Sequence, residues 1–340
     1  FFEFVTPGSF YFAYVAMQFF GANYYTVLFA SMLFQLASIY CVYLIFVRIT
    51  KKTGWGYICA YAWLIVSSVS YPLINYNVYS SFLASFLLLL FILYLEKKKN
   101  YLLAAAGILT ACIFYFLQTK GIAMFAVILL FLFYLLLKKS ISIKPLVLFV
   151  STFAAAIFTG LLFWGKYVVT NLLISYAGYI KIAATPISYQ AILIFLALCV
   201  FLFFIYLLKN KIDEKILLCF FFQFALILSY ANNPDKYHVG LNAFPFIILA
   251  FVYIGSFRFW TKYIATKIYA ASAIGMITVA YLTFSVIQSF MITLFIEKSI
   301  KETKDIIGNE NIYSYPFLPN MYFELQKPNP YYNDFLIENH

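Results

Sequence analysis

Charged residues are scarce in this chain. Asp, Glu, Lys and Arg make up 10% of its 340 residues, and hydrophobic residues make up 65%. So few charges cannot cover a soluble protein of this length, which excludes the soluble globular class. Apolar runs of about 20 residues recur, each long enough to cross a bilayer as a helix. Because the runs are continuous rather than alternating, they also exclude a membrane β-barrel. We therefore predict an all-α, polytopic membrane protein.

Cysteine pairs and nucleotide-binding loops are also missing. The five cysteines all lie inside apolar runs without CxxC spacing: Cys41, Cys59, Cys112, Cys199 and Cys219. We expect them to be small buried hydrophobes rather than zinc ligands or disulfides. No Walker loop, GxGxxG, HExxH or GxSxG occurs in a supporting context, so cytosolic nucleotide chemistry is not expected.

The apolar runs predict a bundle of about ten transmembrane helices in a domain covering residues 1–295. The ten predicted spans are 25–47, 55–73, 79–95, 101–117, 122–137, 144–164, 189–208, 215–230, 241–256 and 268–292. A further apolar helix at 7–20 precedes them and is expected to lie along the membrane interface or to dip into it.

Basic residues alternate from loop to loop. Five alternate loops hold fifteen of the 23 basic residues. They are Arg48, Lys51, Lys52; Lys97, Lys98, Lys99; Lys138, Lys139, Lys144; Lys209, Lys211, Lys215; and Arg258, Lys262, Lys267. Since Lys and Arg are retained on the cytoplasmic side, these loops are predicted to be cytoplasmic. The net charge of +11 is then explained by topology and anionic lipid, without a nucleic-acid partner. We expect a bacterial cytoplasmic membrane, with the polar chemistry on the extracytoplasmic face.

The composition changes after residue 295. Seven of the twelve acids fall in residues 296–340. This stretch predicts a small outward-facing α/β appendage, with a short helix at 297–307 and a strand near 311–315. It is too short for an independent domain.

Two groups near the start of predicted spans are candidates with open alternatives. Glu3 could be a general base or a metal ligand, or a solvated charge near a helix N-terminus. Asn75, Tyr76, Asn77 and Tyr79 could bind sugar hydroxyls, although an Asn turn followed by an interfacial aromatic belt is the better interpretation.

Two polar breaks and one long loop complete the predicted outer face. Gln118–Gly121 interrupts two short apolar runs, and its Lys120 could pair with a phosphate or extend to the lipid headgroups. The 232–238 stretch holds Asp235, Lys236, Tyr237 and His238, which could bind a phosphate, a divalent ion or a proton. The alternative there is a hydrated turn with an internal Asp–Lys pair. The 166–189 loop predicts an amphipathic interfacial helix.

Several stretches of the predicted outer face resemble features of a known enzyme family. Residues 2–21, with Glu3, a Pro-Gly pair, Tyr11 and a terminal Phe-Gly, resemble the end of the first outer loop in GT-C membrane glycosyltransferases. These include the protein O-mannosyltransferases and aminoarabinose transferases. The break at 117–121, the pair His238 and Pro245, and the Tyr and Pro pattern of the tail resemble further features of that family.

The resemblance implies inverting transfer of a sugar from a polyprenyl-phosphate donor to a lipid, glycan or protein acceptor. Glu3 is the expected base or metal ligand, with His238 as a second candidate ligand for a divalent ion. The donor phosphate is expected near Lys120, Asp235, Lys236 and His238, and the sugar against Tyr11, Tyr76, Asn77 and Tyr237. A second acid of some relatives is replaced here by asparagine.

Alternatives from other classes remain. A transporter or flippase of lipid-linked sugars or small solutes would place charges and broken helices at the midplane, often in repeated halves. A glycan polymerase or ligase would also work at the outer face. The chain begins with Phe1, and we expect it to be a fragment or processed chain whose further catalytic acid precedes that residue.

Overall fold

The computed structural model describes residues 7–21, 24–70, 76–179, 213–230 and 236–254. These residues contain ten α-helices and no strand. The helices are α1 (Pro7–Phe20), α2 (Tyr24–Thr50), α3 (Thr53–Ser70), α4 (Tyr76–Lys97), α5 (Asn100–Phe116), α6 (Gln118–Leu137), α7 (Ile143–Tyr179), α8 (Glu214–Ser229), α9 (Lys236–Leu241) and α10 (Phe244–Ile254).

Four of the described stretches are long and apolar enough to cross a membrane: Thr26–Thr50, Tyr76–Lys97, Gln118–Leu137 and Ile143–Phe163. Shorter apolar helices include Asn100–Phe116 and Phe244–Tyr253. The prediction of a helical membrane protein is therefore confirmed for the described part of the chain. The predicted spans 189–208 and 268–292 and the appendage at 296–340 lie outside the described residues.

Helix α4 forms the centre of the bundle. In the apolar stretch of α4, 72% of the residues are buried inside the bundle. In the apolar stretch of α7 the buried share is only 11%. The ring of Phe91 on α4 lies 5.8 Å from Phe149 on α7 and 6.4 Å from Phe222 on α8, in edge-on arrangements that aromatic pairs favour. Aromatic and aliphatic packing of this kind, without charge, fills the middle of the bundle.

Ion pairs gather alternate loops at one end of the bundle. Glu96, at the end of α4, accepts from Arg48 Nη1 at 2.5 Å and from Lys215 Nζ at 2.7 Å. Glu214 accepts from Lys138 Nζ at 3.1 Å. The loops at 48–52, 97–99, 138–144 and 213–215 therefore share one end, which we call the basic end. The 258–267 loop lies outside the described residues.

The connection between α5 and α6 differs from the prediction. Gln118–Gly121 was expected to be a polar loop, but it forms the first turn of α6, and Leu117 alone links the two helices. Leu117 is extended, with φ −155° and ψ 107°. So short a link is possible because Gly121 lies directly against the Phe114 backbone, where a Cβ would not fit. Lys120 therefore belongs to a helix rather than to a flexible loop.

The helix α7 bends at one residue. Gly165 has φ 41° and ψ −119°, outside the helical region, and the backbone is helical again through Tyr179. Helical structure is thus confirmed for much of the predicted 166–189 helix, while its placement in the membrane interface stays a prediction.

The described cysteines carry no disulfide. Cys41, Cys59 and Cys219 are buried and free, and Cys112 is free and half-buried. This confirms the prediction of small buried hydrophobes for Cys41, Cys59 and Cys219, whereas Cys112 is only partly buried. Cys199 lies outside the described residues.

Candidate functional site

A buried lysine lies at the end of the bundle opposite the basic end. Lys120 is in the first turn of α6, and only 1% of the residue is exposed. Its side chain points into the bundle, where Nζ donates to Ser81 Oγ at 2.6 Å and to the carbonyl oxygen of Asn77 at 3.4 Å. Among the described residues no carboxylate forms an ion pair with it. A basic side chain buried without a counter-ion is costly and is by default a functional candidate in a membrane protein.

Ser81 connects the lysine to α9. Ser81 Oγ lies 2.8 Å from the Asn77 carbonyl oxygen and 3.0 Å from Asn242 Oδ1, so its single proton has two acceptors. Asn242, which is 1% exposed, donates from Nδ2 to the His238 carbonyl oxygen at 2.7 Å. The lysine is therefore linked to the 238–242 segment through two buried polar side chains.

Gln223 closes this arrangement from α8. Its Nε2 donates to the Asn242 carbonyl oxygen at 3.3 Å, and its Oε1 accepts from the backbone N–H of Phe246 at 3.0 Å. We call Lys120, Asn77, Ser81, Asn242 and Gln223 the Lys120 network. It joins α4, α6 and α8 to the short connection between α9 and α10.

Three members of the network were missed by the sequence predictions: Ser81, Gln223 and Asn242. A partial signal was present, because Ser81 follows Asn77 by four residues and Asn242 follows His238 by four. Residues at this spacing share a face of a helix. Gln223 is a single amide in an apolar run, and nothing in the sequence indicates its partner.

The predicted tyrosines have different environments. Tyr76 is buried, and its hydroxyl has no hydrogen-bond partner among the described residues. Tyr11 is 56% exposed on α1 and is not brought into the Lys120 network. Tyr79 has a structural contact instead, since its hydroxyl lies 2.7 Å from Ser31 Oγ and its ring 4.6 Å from that of Phe12.

The remaining predicted residues are only partly described. Glu3 and Asp235 lie outside the described residues, and of Lys236 and Tyr237 only the helical backbone of α9 is described. His238 is buried, with 5% of the residue exposed. Within the described ranges no three His, Cys, Asp or Glu residues group as metal ligands. The divalent ion at Glu3 and His238 therefore stays a prediction.

The first turn of α6 is itself suited to an anion. It contains no acidic residue, and its N-cap, Leu117, provides no side-chain hydrogen bond to the N–H groups of the turn. Free N–H groups and the helix dipole give such a turn a partial positive charge, which adds to that of an ammonium group. The chemistry that fits this arrangement is the binding of an anionic group, phosphate above all.

Comparisons of the chain with protein-family models, curated proteins and solved structures find no match.

Proposed function

We propose that the protein is a membrane glycosyltransferase that takes a sugar from a polyprenyl-phosphate donor. The acceptor is a lipid, a glycan or a protein, and transfer takes place at the end of the bundle that carries the Lys120 network. In this proposal that end is extracytoplasmic, the basic end faces the cytoplasm, and the full bundle has about ten spans and an outward C-terminal appendage.

The main support for the proposal is that Lys120 is buried without a carboxylate partner among the described residues. A lipid phosphate supplies the missing negative charge, and its polyprenyl chain suits the apolar body around the site. A neutral lipid or a free sugar would leave the ammonium group without a counter-ion.

The proposed reaction breaks the bond between the anomeric carbon of the sugar and the donor phosphate oxygen. An acceptor hydroxyl attacks the anomeric carbon from the opposite side, which inverts the configuration. The hydroxyl proton passes to a carboxylate, and the bonding electrons leave with the polyprenyl phosphate. Lys120 stabilises the charge that develops on the departing phosphate, and such preorganised groups are worth about 10²–10³ in rate.

Glu3 is the proposed proton acceptor. The position of α1 supports this assignment, because Gly8 packs against the Tyr115 carbonyl and the Phe116 ring at the end of α5. Leu117 and α6 follow directly after Phe116. The first turn of α1 thus lies at the same end as Lys120, and Gly8 in that turn follows Glu3 by five positions in the sequence.

The test is transfer from a polyprenyl-phosphate sugar by the purified protein in nanodiscs. Lys120→Met is expected to reduce transfer by about 10²–10³, because the leaving phosphate loses its cation. Ser81→Ala should reduce transfer less, since Lys120 keeps its charge but loses its 2.6 Å contact. Ser85→Ala is the matched control, one turn deeper on α4, where the hydroxyl bonds to Ser38 at 2.8 Å instead.

Normal transfer by Lys120→Met would refute the role of the lysine. Equal losses in the two serine variants would mean that general weakening of α4, rather than the contact to Lys120, causes the effect. Lack of transfer by wild-type protein with any polyprenyl-phosphate sugar would remove the support for the enzyme.

A transporter of lipid-linked sugars or small solutes is the second candidate, and one observation favours it. Polar side chains continue from the Lys120 network into the bundle, where Ser38 pairs with Ser85 at 2.8 Å and Gln35 donates to Ser67 at 3.2 Å. Transporters place such groups near the middle of the membrane. Movement of a lipid-linked sugar between leaflets without a change in its covalent structure would favour this candidate, whereas a new glycosidic bond would exclude it.

A further inference from the structure

Three helices end in the same unusual way at the basic end. Lys51 follows α2, Lys98 follows α4 and Lys139 follows α6, and their φ angles are 60°, 52° and 59°. This left-handed conformation ends many helices, but glycine usually occupies the position because a Cβ makes it unfavourable. Lysine stands at all three positions although glycine would stabilise each helix end better. What lysine adds at these positions is a charged side chain just beyond the helix end.

The acids at this end are already engaged with other groups. Glu96 binds Arg48 and Lys215, Glu214 binds Lys138, and Asp213 accepts from the backbone N–H of Lys215 at the start of α8. These are the only acids in the described part of the chain.

The three left-handed lysines therefore have no counter-ion among the residues that the structure describes. Lys51, Lys98 and Lys139 are exposed and form no ion pair with the described residues. Lys98 Nζ lies 5.6 Å from the centre of the Tyr94 ring, and this contact leaves its charge uncompensated. At the ends of three helices, the described part of the chain thus presents three ammonium groups without an ion pair.

The surroundings of these lysines are those of a lipid headgroup layer. Leu137, two residues before Lys139, is 68% exposed, and Tyr101, three residues after Lys98, is 64% exposed. Exposed apolar and aromatic side chains at the ends of membrane helices lie at the boundary between acyl chains and headgroups. A ligand for these lysines therefore combines a phosphate with an apolar chain below it.

We propose that Lys51, Lys98 and Lys139 bind the phosphate groups of anionic phospholipids in the leaflet at the basic end. The left-handed conformation fixes each lysine just beyond a helix C-terminus. Nearby lysines that lack the left-handed conformation add to the field without holding a lipid at a defined place. Binding depends on the negative charge of the membrane and weakens with salt. The inference is independent of any sugar transfer.

The experiment compares melting temperatures in nanodiscs of pure phosphatidylcholine and in nanodiscs that also contain phosphatidylglycerol. For the wild type, phosphatidylglycerol should raise the melting temperature, and added salt should reduce that rise. The variant Lys51→Gly, Lys98→Gly, Lys139→Gly should lose more than half of the rise. In pure phosphatidylcholine the same variant should melt at or above the wild-type temperature, because glycine is the better residue at these helix ends.

The matched control removes three other charges from the same end, with the changes Lys97→Gln, Lys99→Gln and Lys144→Gln. It should keep more than half of the rise caused by phosphatidylglycerol. An equal loss in the two triple variants would mean diffuse electrostatics and would overturn the proposal, as would an unchanged rise in the glycine variant. Inorganic phosphate, added to phosphatidylcholine nanodiscs, should give no rise; an equivalent rise would assign these lysines to free phosphate. If the triple variant does not fold, Lys98→Gly alone against Lys97→Gln provides the same comparison.

Discussion

Replacing Lys120 by methionine should stabilise the protein while removing its proposed activity. The lysine side chain is 1% exposed and has no carboxylate partner among the described residues. Methionine has a similar length and flexibility and fills the same space without a charge. Because the cost of burying the charge disappears, we expect a gain of about 1–3 kcal/mol in the free energy of unfolding.

The neighbours of Lys120 tolerate this change. Ser81 Oγ keeps two acceptors, the Asn77 carbonyl and Asn242 Oδ1, and the Asn77 carbonyl still accepts from Ser80 and Ser81. No buried donor or acceptor among these groups is therefore left without a partner, which is the usual cause of large losses at polar sites. Lys120→Ala would instead leave a cavity, and the cost of that cavity would offset the stability gained by removing the charge.

The assay is thermal unfolding of the two proteins in the same nanodiscs without substrate. Each kcal/mol gained in the free energy of unfolding corresponds to a rise of roughly 2–4 °C in the melting temperature. Ser85→Ala serves as the control for loss of a buried polar group from α4, and we expect it to melt slightly below the wild type. A clear fall in the melting temperature of Lys120→Met would contradict this expectation, because it would show that the lysine holds the bundle together.

Three further predictions concern two glycines of the bundle and one ion pair at the basic end. Gly107→Ala should destabilise by about 1–3 kcal/mol in thermal unfolding, because its Cβ would collide with α7, whereas the control Gly54→Ala has open space and should be nearly neutral. The hydrogen bond that Lys138 donates to Glu214 raises the pKa of Lys138. The pair therefore stabilises fully at neutral pH and loses its effect only as alkaline pH passes the raised pKa. Glu214→Gln should therefore lower the melting temperature slightly at pH 7. At a pH above the raised pKa of Lys138, the same change should leave the melting temperature unaltered. Gly165→Ala should cost about 1–3 kcal/mol or straighten α7, since φ 41° with ψ −119° is strained for alanine, and spin labels on either side of the bend would report the change.

Much of the helical architecture could be predicted from hydrophobic runs and their breaks. The helix expected at residues 7–20 is found at Pro7–Phe20, and the run expected at 101–117 forms Asn100–Phe116. The alternation of basic loops predicted which helix ends meet, and the bridges of Glu96 to Arg48 and Lys215 confirm that they do. Both signals depend on composition averaged over many residues, so they do not require knowledge of individual contacts.

The candidate site was predicted less completely, because it depends on individual contacts. Lys120 was expected in a loop, since no hydrophobic pattern reveals that Gly121 packs on Phe114 and lets α6 begin at Gln118. Ser81 and Asn242 are 161 positions apart, and their hydrogen bond at 3.0 Å forms only once α9 folds back onto α4. Small polar residues are common in membrane helices, where they bond to the preceding turn. Their presence alone therefore does not distinguish a site from packing.

The proposed function depends on which group neutralises Lys120, an acid of the protein or the phosphate of the donor. Three of the twelve acids are at the basic end, and the other nine, among them Glu3 and Asp235, lie outside the described residues. Asp235 is the acid nearest in sequence to the 238–242 segment that the Lys120 network reaches. If Asp235 were the counter-ion, Lys120→Met would leave a carboxylate unpaired and destabilise the protein, and Asp235→Asn would destabilise it about equally. If the donor phosphate is the counter-ion, Lys120→Met stabilises the substrate-free protein, Asp235→Asn changes its melting temperature little, and polyprenyl phosphate raises the melting temperature of the wild type but not of Lys120→Met. Destabilisation by both variants would assign the lysine to an internal ion pair and remove the main support for the transferase.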